Sequence, residues 1–319
     1  MIDSRLQTLR VLNEEKTITA AAAVLHLSPS SVSQQLRQLS ADLGIELLEH
    51  YGRNVRLTAA ARTLLGHAHT LFAQWERACG DLAMHREGEA GELRVSGVAT
   101  ALASVVAPAV AKLRGRYPQM SFHLGEDPDE DRFHLLLMDR TDIAVVIPAS
   151  STPAPDDERF EQHPLLEEPQ DLLVPTGHPF AGSGSVALAD AAGEDWLRAG
   201  DPRDQHQLFV TACASAGFAP RVRHGAVDWS AVAALVAQGF GICLVPRLAA
   251  VPDSFGVVRV RLHGEPTPVR KVVACVRRGS SAVPTIARGL DALREAASDW
   301  QLSAGSGRRW HGHVSGPYG

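Results

Sequence analysis

The chain has 319 residues, 45% of them hydrophobic and 21% charged, which excludes a disordered chain and exceeds what one ordinary core holds. Its 31 basic and 36 acidic residues leave a net charge of −5, which as a whole-chain average neither supports nor excludes a nucleic-acid partner. No apolar run reaches the ~18 residues of a membrane span. The opening Met1-Ile2-Asp3-Ser4-Arg5 lacks the apolar core of a signal peptide, and Cys79, Cys213, Cys243 and Cys275 form no close pair. A cytoplasmic protein without disulfide framework, metal site, cofactor or membrane partner is expected.

Leu6, Leu9, Val11 and Leu12 have helical spacing, and Thr19 to Leu25, rich in alanine, forms a second helix. Ser28 is a good N-cap and Pro29 suits the first helical position, so a third helix runs to Leu43. At about 100° per residue, Val32, Leu36, Leu39 and Leu43 make one buried stripe. The opposite face carries Ser30, Ser33, Gln34 and Arg37 and no acid, which suits a major groove. There Gln and Arg pair with base edges, while hydroxyls such as those of Ser28, Ser30 and Ser31 meet phosphates. An ordinary solvated face reads equally well from that helix alone. Ile45 to His50, the turn Tyr51-Gly52-Arg53-Asn54 and Val55 to Thr58 then read as a hairpin. Two helices, a polar third helix and an Arg-tipped hairpin make a winged helix-turn-helix, whose wing lays Arg53 and Arg56 along the phosphates or into the minor groove.

From its N-cap Thr58 a long helix follows. Ala61, Leu64, Ala68, Leu71, Trp75, Ala78 and Leu82 step by 3 and 4 in a heptad pattern, with Leu65, Phe72 and Cys79 as a second stripe beside it. Two neighbouring stripes let one helix pack on its own domain and on a partner at once, with Leu64, Leu71, Trp75 and Leu82 as the self-association seam. Burial within one chain is the alternative. His85 to Gly91 breaks the pattern and is the expected hinge.

Beyond it, strands and helices alternate. Leu93–Gly97, Met120–Leu124, Asp142–Ile147, Asp171–Pro175, Gly241–Pro246 and Lys271–Val276 read as strands. Helices are expected over 101–116, 132–138, 206–216, 231–238 and 283–297. This is an α/β signature with parallel strands.

The segments Thr19-Ala20-Ala21-Ala22, Leu27-Ser28-Pro29-Ser30-Ser31-Val32-Ser33-Gln34-Gln35-Leu36-Arg37, Leu43-Gly44-Ile45-Glu46-Leu47-Leu48-Glu49 and Gly52-Arg53-Asn54-Val55-Arg56-Leu57-Thr58 resemble the LysR-type transcriptional regulators without a gap. Departures from the family pattern include Pro29-Ser30-Ser31, Gln34 and His50. Asp171 to Phe180, Asp228 to Val232 and Val236 to Pro246 are similar to segments of that family's effector domain.

The resemblance implies an α+β multidomain chain. Its parts are a winged helix-turn-helix (1–58), a dimerisation helix and hinge (59–91) and an α/β effector domain of periplasmic-binding-protein type (92–302). Subdomain I spans about 92–148 and 266–302 and subdomain II about 165–265; the tail 303–319, rich in Gly, Ser, Arg and His, is expected from its composition to be disordered. The resemblance also implies operator DNA with an AT-rich inverted repeat, often close to the regulator's own gene, a homodimer or homotetramer, and a small-molecule effector between the subdomains.

Ligands of such sheets sit outside strand carboxyl ends near helix N-termini, which points to Ala99, Thr100 and Ala101. By the family's layout Ile147, Pro148, Arg198 to Asp201 and Asp228-Trp229 border the same cleft, and the N–H groups and dipole of the helix starting at Thr100 make a carboxylate the expected effector chemistry. Thr100 reads equally as a helix cap, and Trp229 more readily as a core aromatic.

The rival readings are an enzyme or a solute-binding protein using the α/β domain, with DNA binding secondary. No G-x-S-x-G, H-E-x-x-H or Walker loop supports catalysis, and Gly239-Phe240-Gly241 reads as a helix C-cap.

Overall fold

The computed structural model describes residues 2–51, 54–83, 91–127, 130–150, 152–203, 205–264 and 267–305. Three helices open the chain: α1 (Ser4–Glu15), α2 (Ile18–Val24) and α3 (Pro29–Leu43). Each begins at a short polar cap. Asp3 accepts from Arg5 N, Thr17 from Ala20 N and Ser28 from Ser31 N, each satisfying a free helical N–H and contributing about 1 kcal/mol. Val32, Leu36 and Leu39 are buried against Leu9, Leu12, Ala21 and Ala22. Each such leucine contributes about 1.5–3 kcal/mol on burial. Leu43 departs from the expected stripe, being half exposed. The chain turns away at Gly44 (φ 66°), and Leu47 fills the core in its place.

The hairpin strands β1 (Leu48–Tyr51) and β2 (Asn54–Leu57) pair antiparallel, Glu49 opposite Arg56. Thr58 then caps α4 (Ala59–Ala83), accepting from Ala61 N at 3.1 Å. Ala61, Leu65 and Ala68 bury one side of α4 in the DNA-binding core, with Phe72 packed against it. The expected hinge at 85–91 lies largely outside the described residues.

The following domain begins with β3 (Gly91–Gly97). A continuous helical stretch follows, made of α5 (Ala99–Ala101), a π-turn (Leu102–Val106) and α6 (Ala107–Arg116). Then come β4 (Met120–Gly125), α7 (Arg132–Leu137), β5 (Ile143–Val146) and the long β6 (Phe160–Pro175). The next elements are β7 (Ser185–Ala187), β8 (Asp195–Ala199), α8 (Gln205–Ser215), β9 (Arg221–Ala226), α9 (Trp229–Ala237) and β10 (Cys243–Pro246). The last are β11 (Val257–His263), β12 (Val269–Arg277) and α10 (Pro284–Gly305).

The sheet is mixed rather than parallel. β4, β3 and β5 run parallel, and β12 joins β5 antiparallel. The strand read as starting at Asp171 begins at Phe160. Its first part, to Pro169, pairs with β12; its last part, from Gln170, pairs with β10 and β11. β6 thus crosses from one subdomain to the other, and the chain returns through Pro268 beside Gln170. The polar run Glu161-Gln162-His163, the proline Pro164 and the second proline Pro169 hide this strand from pattern reading. The register slips at Val272/Val273, opposite Pro164 to Leu166, where proline lacks a donor. One core lies under β3, β5 and β12 against α6 and α10; two others flank the second subdomain's sheet.

The DNA-binding module packs on the first subdomain. Arg277 Nε donates to Glu76 at 3.1 Å, Arg159 pairs with Glu14 at 3.1 Å, and His134 lies 3.1 Å from Glu15. Gly279 (φ 88°) abuts the Ala73 carbonyl and Gly80 the Ala282 backbone, so neither position has room for a side chain.

Candidate DNA interface and effector cleft

α3 is held by its buried face and by polar anchors at its flanks. Thr8 Oγ1 donates to Gln35 Oε1 at 2.6 Å, and Arg5 pairs with Asp42 at 2.6 Å. These contacts to α1 fix the helix so that Ser30, Gln34 and Arg37 stay exposed on the other side. Ser28, Ser30 and Ser31 form a hydroxyl cluster with both Ser28 Oγ contacts at 2.8 Å, and Ser31 and Ser33 are half buried. Ser33 Oγ donates to the Pro29 carbonyl at 3.0 Å. Gln34 and Arg37 have no hydrogen-bond or ion-pair partner among the described residues. On the wing, Arg56 Nε donates to Glu49 Oε1 at 2.8 Å. Arg53 lies outside the described residues.

Along α4 the predicted seam divides. Ala61 and Ala68 are buried within the chain and Leu64 is half buried. Leu71, Trp75 and Leu82 remain 46%, 45% and 66% exposed, a stripe of large apolar side chains on one helix face. That pattern leaves apolar area available to a partner.

The cleft between the subdomains holds two neighbouring cavities that share Ile147. One, of about 330 Å³, is lined by Val98, Asp131 and Arg132 from the first subdomain and by Asp201 and Arg203 from the second. The other, of about 460 Å³, is more apolar and is lined by Ile147, Pro148, Leu208, Thr211, Pro268 and Val269. Arg132 is buried and donates to the carbonyls of Glu126 (2.8 Å) and Gly97 (3.3 Å). Arg203 pairs with Asp201 at 2.6 Å. Partial burial opposes ionisation of the Asp201 carboxyl, but the Arg203 hydrogen bonds and the Arg132 charge across the cleft hold it below its ordinary value.

The predicted effector residues separate. Ile147 and Pro148 line these cavities; Ala99, Thr100, Ala101, Arg198 and Trp229 do not. Thr100 is neither cap nor free donor at the cleft surface. Val98 occupies the N-cap position, and buried Thr100 Oγ1 accepts from Arg270 Nη2 at 2.8 Å. Arg270 also binds Glu168, Nε to Oε1 at 2.5 Å, and the other oxygen of Glu168 accepts from Leu248 N at 3.0 Å. All three side chains are buried at the β6/β12 crossover. Ala99 is exposed and Ala101 buried; Arg198 is exposed beside Gly225, and half-buried Trp229 packs on Gly200. Of this lining, Asp201 ends the stretch 198–201 that the family's layout puts at the cleft, while reading from the sequence missed Arg132 and Arg203. Their one signal was position: each lies just before or within the start of a helix that follows a strand or loop.

Among the described residues no group of His, Cys, Asp and Glu could hold a metal ion, and no helix is long and apolar enough to cross a membrane.

Comparison with known proteins agrees with this geometry. Residues 4–62 match the family described as bacterial regulatory helix-turn-helix protein, lysR family, and residues 86–298 match LysR substrate binding domain. The DNA-binding transcriptional dual regulator OxyR of Escherichia coli (strain K12) is 30% identical over 277 residues, 86% of this chain and 89% of that protein. The hydrogen peroxide-inducible genes activator of Dickeya chrysanthemi is 27% identical over 292 residues, covering 91% of this chain and 94% of that protein. Among solved structures, an OxyR mutant of Corynebacterium glutamicum superposes with a TM-score of 0.59 at 25% identity, covering 96% of this chain and 95% of that one.

The architecture is that of a DNA-binding transcription regulator with an attached ligand domain. The chain belongs to the LysR family: it is a sequence-specific DNA-binding regulator with an effector-binding α/β domain, and it is not an enzyme.

Proposed function

We propose that α3 reads operator bases through Gln34 and Arg37, with Ser28, Ser30, Ser31, Ser33 and the wing arginines Arg53 and Arg56 on the backbone. Two copies associate through Leu64, Leu71, Trp75 and Leu82. A small carboxylate bound between the subdomains changes how those copies sit on DNA. The observation carrying the effector reading is that Arg132 and Arg203, from opposite walls, line one cavity of about 330 Å³. A carboxylate taken by both bonds each subdomain to the other, so it binds the closed cleft better than the open one. That difference in affinity is what moves the equilibrium.

Peroxide chemistry, suggested by the name of the Dickeya chrysanthemi relative, finds little support in the three buried thiols. Burial pushes Cys213, Cys243 and Cys275 up to about 12, and the thiolate is the reactive form. A reversible ligand is the better reading. The test is calorimetry with a panel of carboxylates on wild type and Arg203→Ala. Saturable binding weakened in the variant supports the reading; binding of equal strength in both overturns it.

A further inference from the structure

A second cavity, of about 290 Å³, lies where the DNA-binding module meets the first subdomain, away from the cleft. α1 contributes Arg10 to it, α4 contributes His69, Phe72 and Glu76, and the effector domain contributes Arg159 and Arg277. Arg10 is only 8% exposed. Its guanidinium lies 4.3 Å over the Phe72 ring and Nη2 donates to the Leu137 carbonyl at 2.9 Å, yet buried Nε has no partner. No carboxylate pairs with Arg10 among the described residues.

The neighbouring acids are committed elsewhere. Glu76 and Asp139 each lie 3.1 Å from Arg277, Glu14 lies 3.1 Å from Arg159, and Asp3 lies 2.7 Å from Arg5. The remaining acid of the lining, Glu158, is exposed. Beside Arg10, buried His69 Nε2 also lacks a partner. Burial and the charges of Arg159 and Arg10 favour its neutral form, in which one ring nitrogen carries a proton to donate. The charges of Glu76, Glu14 and Asp139 favour the Arg10 cation without pairing with it, while burial and Arg277 oppose it, and a buried cation so placed is costly unless something balances it. The space suits a small ion with water rather than a drug-sized ligand.

From Arg10 Nε and His69 Nε2, both buried and without a partner on two residues that line one cavity, we infer that this junction binds a small oxyanion, phosphate or carboxylate. The anion accepts from both nitrogens and braces the DNA-binding module on the effector domain. This site is separate from the cleft and does not rest on the effector reading.

The test uses the full chain, with inorganic phosphate and acetate titrated calorimetrically at ionic strength held constant with sodium chloride. Constant salt removes general screening as an explanation. Saturable binding by wild type, at about one site per chain, weakened about tenfold or more in Arg10→Leu and in His69→Leu, supports the site. Phosphate alone binding assigns a phosphate source; acetate binding as well assigns a carboxylate one. Circular dichroism checks folding, and if Arg10→Leu fails to fold, His69→Leu decides alone. Absence of saturable binding by wild type overturns the inference. So does binding that survives in both variants, or binding lost in Arg203→Ala but kept in Arg10→Leu.

Discussion

Arg270 and Thr100 stand 170 positions apart in sequence, yet Arg270 Nη2 donates to Thr100 Oγ1 at 2.8 Å in the interior of the effector domain. The bond ties the first helix of one subdomain to the strand by which the chain returns from the other. With Glu168 it makes a closed polar unit at the crossover.

Thr100→Val keeps the side-chain shape and leaves Arg270 Nη2 without that acceptor. A buried donor left unmade costs about 1–3 kcal/mol, so the variant is expected to unfold at lower denaturant with an unchanged slope. Effector affinity should change less than stability does. Urea titration followed by fluorescence reads this directly; a midpoint equal to wild type contradicts the role given to the pair.

The wing makes a second prediction. Arg56 is held across the hairpin by Glu49, and a phosphate must compete with that carboxylate. Glu49→Gln should tighten binding to all sequences alike at low salt. Arg56→Ala should loosen it and flatten the plot of log affinity against log salt by about 0.9 for one lost phosphate contact. Fluorescence anisotropy with unrelated duplexes measures both, and an unchanged slope in Arg56→Ala removes the wing from the DNA.

Leu71→Asp places a charge in the exposed stripe of α4 without touching the buried side formed by Ala61, Leu65 and Ala68. Sedimentation should show weakened self-association, with the helical content of the fold retained. A variant that assembles as wild type does contradicts the seam.

His69 gives a pH dependence. Burial first, then Arg159 and Arg10, lowers its pKa below the ordinary value, while Asp157 and Glu14 oppose this in part. The unfolded chain therefore binds the proton more readily than the folded one. Stability contributed here is present above about pH 6.5 and falls as pH drops through the window below it. Wild type should lose more stability than His69→Leu between pH 7 and pH 5.5 in matched thermal melts. Equal losses contradict the assignment.

Local rules carried the DNA-binding module. The Ser28-Pro29 start, the Val32, Leu36 and Leu39 stripe and the Thr58 cap each depend on neighbours within a few turns, so they could be read from the sequence. Leu43 could not, because its exposure depends on where Leu47 returns. In the effector domain β9 shows no alternation, being exposed along its length, and β6 is broken up by Pro164 and Pro169. The cleft was legible only as a place. Ile147 and Pro148 follow from their position after β5, whereas Arg132 and Arg203 meet only through the crossover of long strands, and Arg270 meets Thr100 in the same way.

The most direct measurement of the central claim is salt-dependent binding to the DNA upstream of this chain's own gene, compared with a scrambled duplex of equal length, for wild type and Gln34→Ala. Wild type should prefer the upstream duplex, and both affinities should fall steeply with salt. Gln34→Ala should lose about 1–3 kcal/mol of preference while its binding to the scrambled duplex stays near wild type. Equal binding of wild type to both duplexes, or a preference untouched by Gln34→Ala, would contradict base reading by α3.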